Sequence, residues 1–448
     1  MKKLLLVLIT VGLTLSAHAQ SQILQTYLEE GIAGNLALKQ QNLEIEKALK
    51  GIDIARTNYF PQVNFSPSYS VAFGGRKIQI PIGDLLNPVY STLNKLTDSD
   101  AFPQVENASE QLAPMNFHDT KLEIKVPLFN TDIRYNVALQ KDLLVTEEAK
   151  RKFLEYELRH AIEAAYYQYL QSLEAVQIYE NSEKLLESYL RLNQTLVQHE
   201  EALKDVLLSS EYELSKVQQE KAVAEKNTRL AQAYFNFLLN RKLEEPVLAD
   251  TAFFHSLPPK LSLEEYTETA FRNRPEFEQL NAGLKTTQTL LRMQEKNAVL
   301  PQVFMGANTG FQGFGYTFRD QAYMVGQIGL NWPIFHAGEK KIKIQQTRIS
   351  GEILRTKTEE AKKQVEMQVY RSFHELETAL SALGSKERDL ARTEKIFQLV
   401  NSRYKNGAAI PLEVHKAQND RLIAQLSHSL GKLEVWLKYA ELKKGAGW

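Results

Sequence analysis

Two periodicities divide the chain. Apolar residues step by three and four along Leu154, Leu158, Ile162, Ala165, Tyr169, Leu173 and Val176, and again along Val365, Val369, Phe373, Leu376, Leu380 and Leu383. Such a stripe, at near-heptad spacing, is the packing face of a long amphipathic helix, and the charged opposite faces match a solvated coiled-coil surface. Neither proline nor glycine occurs between Pro127 and Pro246, so nothing there breaks a helix. An unbroken helix from Asp132 to about Gln198 would be about 100 Å long at 1.5 Å per residue, long enough to cross a compartment. Each long run must reverse once. The second reverses at Tyr404-Lys405-Asn406-Gly407-Ala408-Ala409-Ile410-Pro411-Leu412-Glu413. There Gly407 suits the left-handed cap and Pro411 the first turn of the next helix. The first run has His199-Glu200-Glu201-Ala202-Leu203-Lys204-Asp205 at the equivalent place, without glycine or proline.

Shorter helical periodicity runs from Ile23 to about Arg56 and from Leu263 to about Asn297, and each stretch leads into period-two alternation. Val63, Phe65, Tyr69, Val71 and Phe73 share one face of a strand whose other face carries Gln62, Asn64, Ser66, Ser68 and Ser70. Leu122, Ile124 and Val126 oppose Lys121, Glu123 and Lys125; Met324, Ile328, Leu330 and Trp332 oppose Tyr323, Gln327, Gly329 and Asn331. The strand from Gln302 alternates less cleanly, with Phe304 on the face of Gly306 and Asn308. A soluble sandwich gives the same alternation. Strand length, and polar faces read as uncharged and rich in Ser, Asn, Gln and Gly, favour a membrane barrel around a water-filled lumen. Four strands fall short of the roughly eight that close a barrel, so several chains must contribute to one.

The chain also repeats itself. Asn58-Tyr59-Phe60-Pro61-Gln62-Val63 returns as Asn297-Ala298-Val299-Leu300-Pro301-Gln302-Val303, each between a helical stretch and a strand pair ending in Val126-Pro127-Leu128-Phe129 or Trp332-Pro333-Ile334-Phe335. This period is too long for a solenoid and reads as a duplication of one strand-and-long-helix module. The expected organisation is a leader at 1–19, a first repeat at 20–243 with strands near 62–73 and 119–129, a linker at 244–262, and a second repeat at 263–448 with strands near 301–314 and 321–333. Between the first two strands lies an insert, Gly74 to His118, holding Pro81, Pro88, Pro103 and Pro114. It reads as a long surface loop, set against a short turn from Gly315 to Asp320 in the second half.

Composition narrows the function classes. Charge balances at 54 Lys+Arg against 54 Asp+Glu, which points away from nucleic acid and from a polybasic lipid-binding surface. Lys2 and Lys3, the apolar run Leu4 to Leu15, and Ala17-His18-Ala19 before Gln20 make a secretory signal, too short to serve as a span. The absence of cysteine excludes disulfides, thiolate metal sites and cysteine nucleophiles. The nine histidines are scattered, and no zinc-protease, phosphate-loop or nucleophile-elbow motif occurs. No catalytic residue, metal site or cofactor is expected.

The signal sequence, the duplicated helix–Pro-Gln-Val–strand units, the paired long helices and the turn Tyr404…Gly407…Leu412-Glu413-Val414…Ala417-Gln418 resemble the TolC-type outer-membrane efflux protein family over essentially the whole mature chain. The resemblance implies an α+β membrane protein: a homotrimer in outer-membrane lipid, with four strands per chain in one barrel continued by a coiled-coil α-helical tunnel through the periplasm. It implies an exit duct for drugs, toxins, metals or secreted proteins, partnered by a periplasmic adaptor and an inner-membrane pump of RND or ABC type, with no nucleic acid. It also places Tyr404 at the family's gate tyrosine, near Gly407, and Glu413 at an acidic mouth position. Tyr404 reads equally as a packed helix-end aromatic, and Glu413 as a first-turn acid favoured by the helix dipole. Ala408 and Ala409 stand where the family has an arginine, and Lys416 where it has a second acid. Glu200, Glu201 and Asp205 are further mouth candidates that read more simply as a solvated tip. Two other classes compete. A periplasmic adaptor would have one helical hairpin flanked by small β domains, and an exported enzyme on a stalk would need a compact α/β region for which no segment is left.

Overall fold

The computed structural model describes residues 22–113, 115–250, 257–259 and 261–448. The expected leader at 1–19, and residues 251–256 and 260 of the expected linker, lie outside the described residues. The helices are α1 (Gln22–Gly34), α2 (Leu36–Thr57), α3 (Ile82–Thr97), α4 (Thr131–Gln198), α5 (Lys204–Leu238), α6 (Leu263–Asn273), α7 (Pro275–Val299), α8 (Glu339–Lys405) and α9 (Pro411–Ala446). The strands are β1 (Gln62–Ser70), β2 (Lys77–Ile80), β3 (Ala108–Gln111), β4 (Phe117–Phe129), β5 (Gln302–Phe314) and β6 (Ala322–Asn331). Among the described residues no helix is long and apolar enough to cross a membrane.

Each half runs helix, helix, strand, strand, long helix, helix, with β2, α3 and β3 added in the first. The two leading helical stretches, read as continuous, are each broken once. Asn35 caps α2 by accepting from Ala37 N at 2.9 Å, and Pro275 opens α7 where its missing N–H costs nothing. The proline- and glycine-free run forms α4, a single helix of 68 residues; α8 has 67.

The chain divides into two compact units, each drawn from both halves. One comprises residues 50–140 and 288–348. It holds an antiparallel sheet in the order β1-β4-β5-β6, so β1 and β6 are its edges. Register aligns the faces across all four strands: Phe65 lies opposite Leu122, Leu122 opposite Thr309, and Thr309 opposite Met324. The apolar face is bare, with Met324 77% and Ile328 74% exposed. The polar face departs from expectation, because β4 places Asp119, Lys121, Glu123 and Lys125 on it. Phe304 shares that face, with its ring over Gly329, where a Cβ would come within 2.3 Å of the ring. The bulge between Pro127 and Phe129 accommodates a proline that cannot donate to the ladder.

The insert is not a structureless loop. β2 and β3 pair antiparallel, and α3 is held by its own asparagines. Asn87 brackets Val105, donating to its O at 2.9 Å and accepting from its N at 2.8 Å, and Asn94 does the same to Phe102 at 2.8 and 3.0 Å. Side-chain amides thus take the place of a backbone partner along 102–107.

The other unit comprises residues up to 49, 141–287 and 349–448. The expected stripes are its interior: Ile162, Ala165, Val369 and Leu376 are buried with Leu24, Tyr27, Tyr166, Phe235, Leu433 and Leu442. Tyr27, Tyr166 and Phe235 pack ring on ring, and the Tyr27 and Tyr166 hydroxyls bind the backbone of Leu248 at 2.8 and 3.0 Å. Glu163, buried, receives Lys443 Nζ at 2.5 Å and the Tyr167 hydroxyl at 2.9 Å.

Candidate functional site

α4, α5, α8 and α9 converge on a second apolar cluster of Leu186, Tyr189, Val217, Phe397, Val414, Ala417 and Leu422, next to the two reversals. Both reversals use the same local solution. In the second, Gly407 takes φ 70°, and Ala408 N closes on Arg403 O at 2.8 Å. In the first, Glu200 takes φ 63°, and Glu201 N closes on Leu196 O at 2.8 Å. This is the Schellman cap, formed once with glycine and once with a residue that pays a left-handed penalty.

Tyr404 does pack: its ring meets Tyr189 edge-on at 6.1 Å. Its hydroxyl donates to Asn193 Oδ1 on α4. Asn193 is buried and passes the connection on, its Nδ2 donating to Ser210 Oγ on α5 at 2.8 Å. Ser210 donates to Val206 O at 2.9 Å and stands 3.5 Å from His415 Nε2 on α9. A polar chain thereby joins all four helices inside an apolar cluster. Beside it, Tyr189 donates to Asn401 Oδ1 at 2.9 Å, and Gln418 donates to Ser182 Oγ at 3.2 Å. Burial pushes Tyr404 above its ordinary value and Tyr189 up to about 12. It lowers His415 against a partial opposing pull from Glu213, so the ring is neutral near neutral pH.

Glu413 stands in the first turn of α9, half exposed, with Arg403 Nη1 at 3.7 Å. Arg403 also donates to Ala408 O at 3.0 Å. A guanidinium therefore sits on this turn even though Ala408 and Ala409 replace an arginine after the glycine; it arrives from the preceding residue side. Glu200, Glu201 and Asp205 are exposed, and Asp205 accepts from its neighbour Val206 N at 2.9 Å. These three acids do not join the polar chain. Asn193, Ser210, His415 and Arg403 were not singled out from the sequence. The available signal was polar residues at apolar stripe positions: Ser182 and Asn193 keep helical register with Leu186 and Tyr189.

No group of three or more His, Cys, Asp or Glu side chains able to hold a metal occurs among the described residues.

Comparison with known proteins matches residues 267–447 to the family model "Outer membrane efflux protein". No curated protein matches the chain. A membrane protein from Pseudomonas aeruginosa superposes with TM-score 0.73 at 14% identity, covering 96% of this chain and 93% of that one. The Campylobacter jejuni CmeC outer membrane channel gives TM-score 0.71 at 14% identity, covering 95% and 86%. The open state of the Neisseria gonorrhoeae MtrE outer membrane channel gives 0.69 at 16%, covering 95% and 89%. These likenesses establish a shared fold over nearly the full chain. Residues 267–447, most of the second half, thus match the outer membrane efflux protein family model, and the chain shares its fold with these solved channels over nearly its full length.

Proposed function

We propose that this protein is an outer-membrane exit duct, carrying drugs, toxins, metals or secreted proteins outward from an inner-membrane pump through a periplasmic adaptor. The carrying observation is the sheet β1-β4-β5-β6, which exposes an apolar face and ends in two unpaired edges. In lipid each unpaired backbone group costs several kcal/mol, so a lone chain is not viable there and copies must close the sheet edge to edge. Three copies give twelve strands, an even number within the range of such barrels. The similar order of elements in the two halves supports reading them as duplicated modules.

We further assign the polar chain at the reversals as the latch of the periplasmic mouth, with Tyr404 tying the second hairpin to the first. Gly407 shapes that turn, and Glu413 lies beside it with its charge partly offset by Arg403. Glu200, Glu201 and Asp205 are left as a solvated rim. Two helical hairpins where an adaptor has one, and the bare sheet face, count against an adaptor. The test is extraction and mass: the protein should require detergent, run as a trimer and conduct ions in a bilayer. A monomer that conducts, or a protein released without detergent, overturns the reading.

A further inference from the structure

β1, β5 and β6 contain no charged residue, whereas β4 contains four, Asp119, Lys121, Glu123 and Lys125, all on the polar face. Lys121 Nζ lies 3.1 Å from Asp119 Oδ2 and 3.2 Å from Glu123 Oε1, so one cation bridges two acids along a single strand. Tyr323, on β6, donates to Asp119 at 2.9 Å from across β5. Lys125 makes no ion pair among the described residues; its ammonium sits 4.8 Å from the centre of the Phe304 ring. Opposite Lys121 and Lys125 on β5 stand Gly310 and Gly306, and opposite them on β1 stand Ser66 and Gln62. The flanking strands thus add no charge beside either lysine.

We propose that this ladder sets the charge discrimination of the membrane segment of the pore, and sets it near zero. The proposal rests on the reading of the sheet as pore wall, with its apolar face toward lipid and this face toward the lumen. A charge on the lipid face at mid-membrane is strongly destabilising, which leaves the lumen for all four. Two acids and two bases per chain cancel. Lys121 divides its charge between two carboxylates, and Lys125 supplies the remaining positive charge two residues beyond Glu123, about 7 Å along the strand. A permeating ion of either sign therefore meets a weak, alternating field. The barrel would pass cargo without sorting it by charge, and any sorting must be done elsewhere in the path.

The experiment is the K⁺/Cl⁻ permeability ratio of purified protein in planar bilayers under a salt gradient. A unit charge about 10 Å from the axis in water biases a monovalent ion about twofold before screening. Lys121→Gln, leaving two acids against Lys125, should shift the ratio toward K⁺ by about twofold or more. Glu123→Gln should shift it toward Cl⁻. Lys121→Gln/Glu123→Gln restores neutrality and should return the ratio to the starting value, and Lys121→Arg should not move it. A purely structural role predicts instead that the double variant is as disturbed as the singles. Unchanged ratios in both single variants, or shifts of the same sign, overturn the proposal. Failure of the unaltered protein to conduct at all would count against the exit-duct reading instead.

Discussion

Tyr404→Phe removes one hydroxyl from the polar chain and keeps the ring against Tyr189. Asn193 is 1% exposed, so water cannot replace the lost donor at its Oδ1. Its Nδ2 keeps Ser210 at 2.8 Å, so the amide stays in place with one buried acceptor unpaired. Leaving one such group unsatisfied costs about 1–3 kcal/mol. Between hairpins docked through this bond and hairpins apart, that is about a five- to 150-fold shift per chain. In single-channel recordings, if the bond is the latch, Tyr404→Phe should raise the open fraction or the low-voltage conductance within that range. Asn193→Ala removes the partner and also frees Ser210, so it should do at least as much. The double variant should fall well short of the sum, because the second change removes a bond already lost. Unchanged gating in Tyr404→Phe, or strict additivity in the double variant, would refute the latch and leave Tyr404 as a packing residue.

Lys443→Met strands the buried Glu163 carboxylate with Tyr167 and should cost about 3–5 kcal/mol in denaturation, much of it recovered by Glu163→Gln in the same chain. Burial, with Lys443 and Lys444 nearby, pulls His160 down to about 3. Below about pH 6.5 the unfolded chain therefore takes up a proton that the folded chain refuses. Stability contributed at this site is full above pH 6.5 and is lost by about 1.4 kcal/mol per pH unit on descending toward 3. His160→Gln should flatten that part of the melting-temperature profile. At the reversals, Gly407→Ala meets no atom within 4 Å, so it should cost only the left-handed backbone penalty, about 1 kcal/mol, while Glu200→Gly should relieve a similar amount. Thermal melts of both variants check this.

The long helices and the strands were legible because their signals are local and repeated many times. An apolar residue every three or four positions specifies the buried face whatever packs on it, and alternation over nine or more residues specifies both faces of a strand. The second reversal was legible for the same reason, since Gly407 and Pro411 act on their own backbone. The first was marked only by charge. Glu200 takes the left-handed cap because the helices on either side demand a turn there, a demand that comes from packing. Of the candidate site, the sequence could locate Tyr404 and Glu413 but not their partners. Asn193 lies 211 residues from Tyr404, and only the docking of one hairpin on the other brings them together. Arg403 pairs with Glu413 because the chain reverses between them. The insert likewise looked like a loop because its order comes from asparagine side chains closing on distant backbone, 18 residues away in the case of Asn87, a contact that leaves no period in the sequence. Periodicity reports which side of an element is buried; which groups meet across the buried side was decided by the tertiary structure alone.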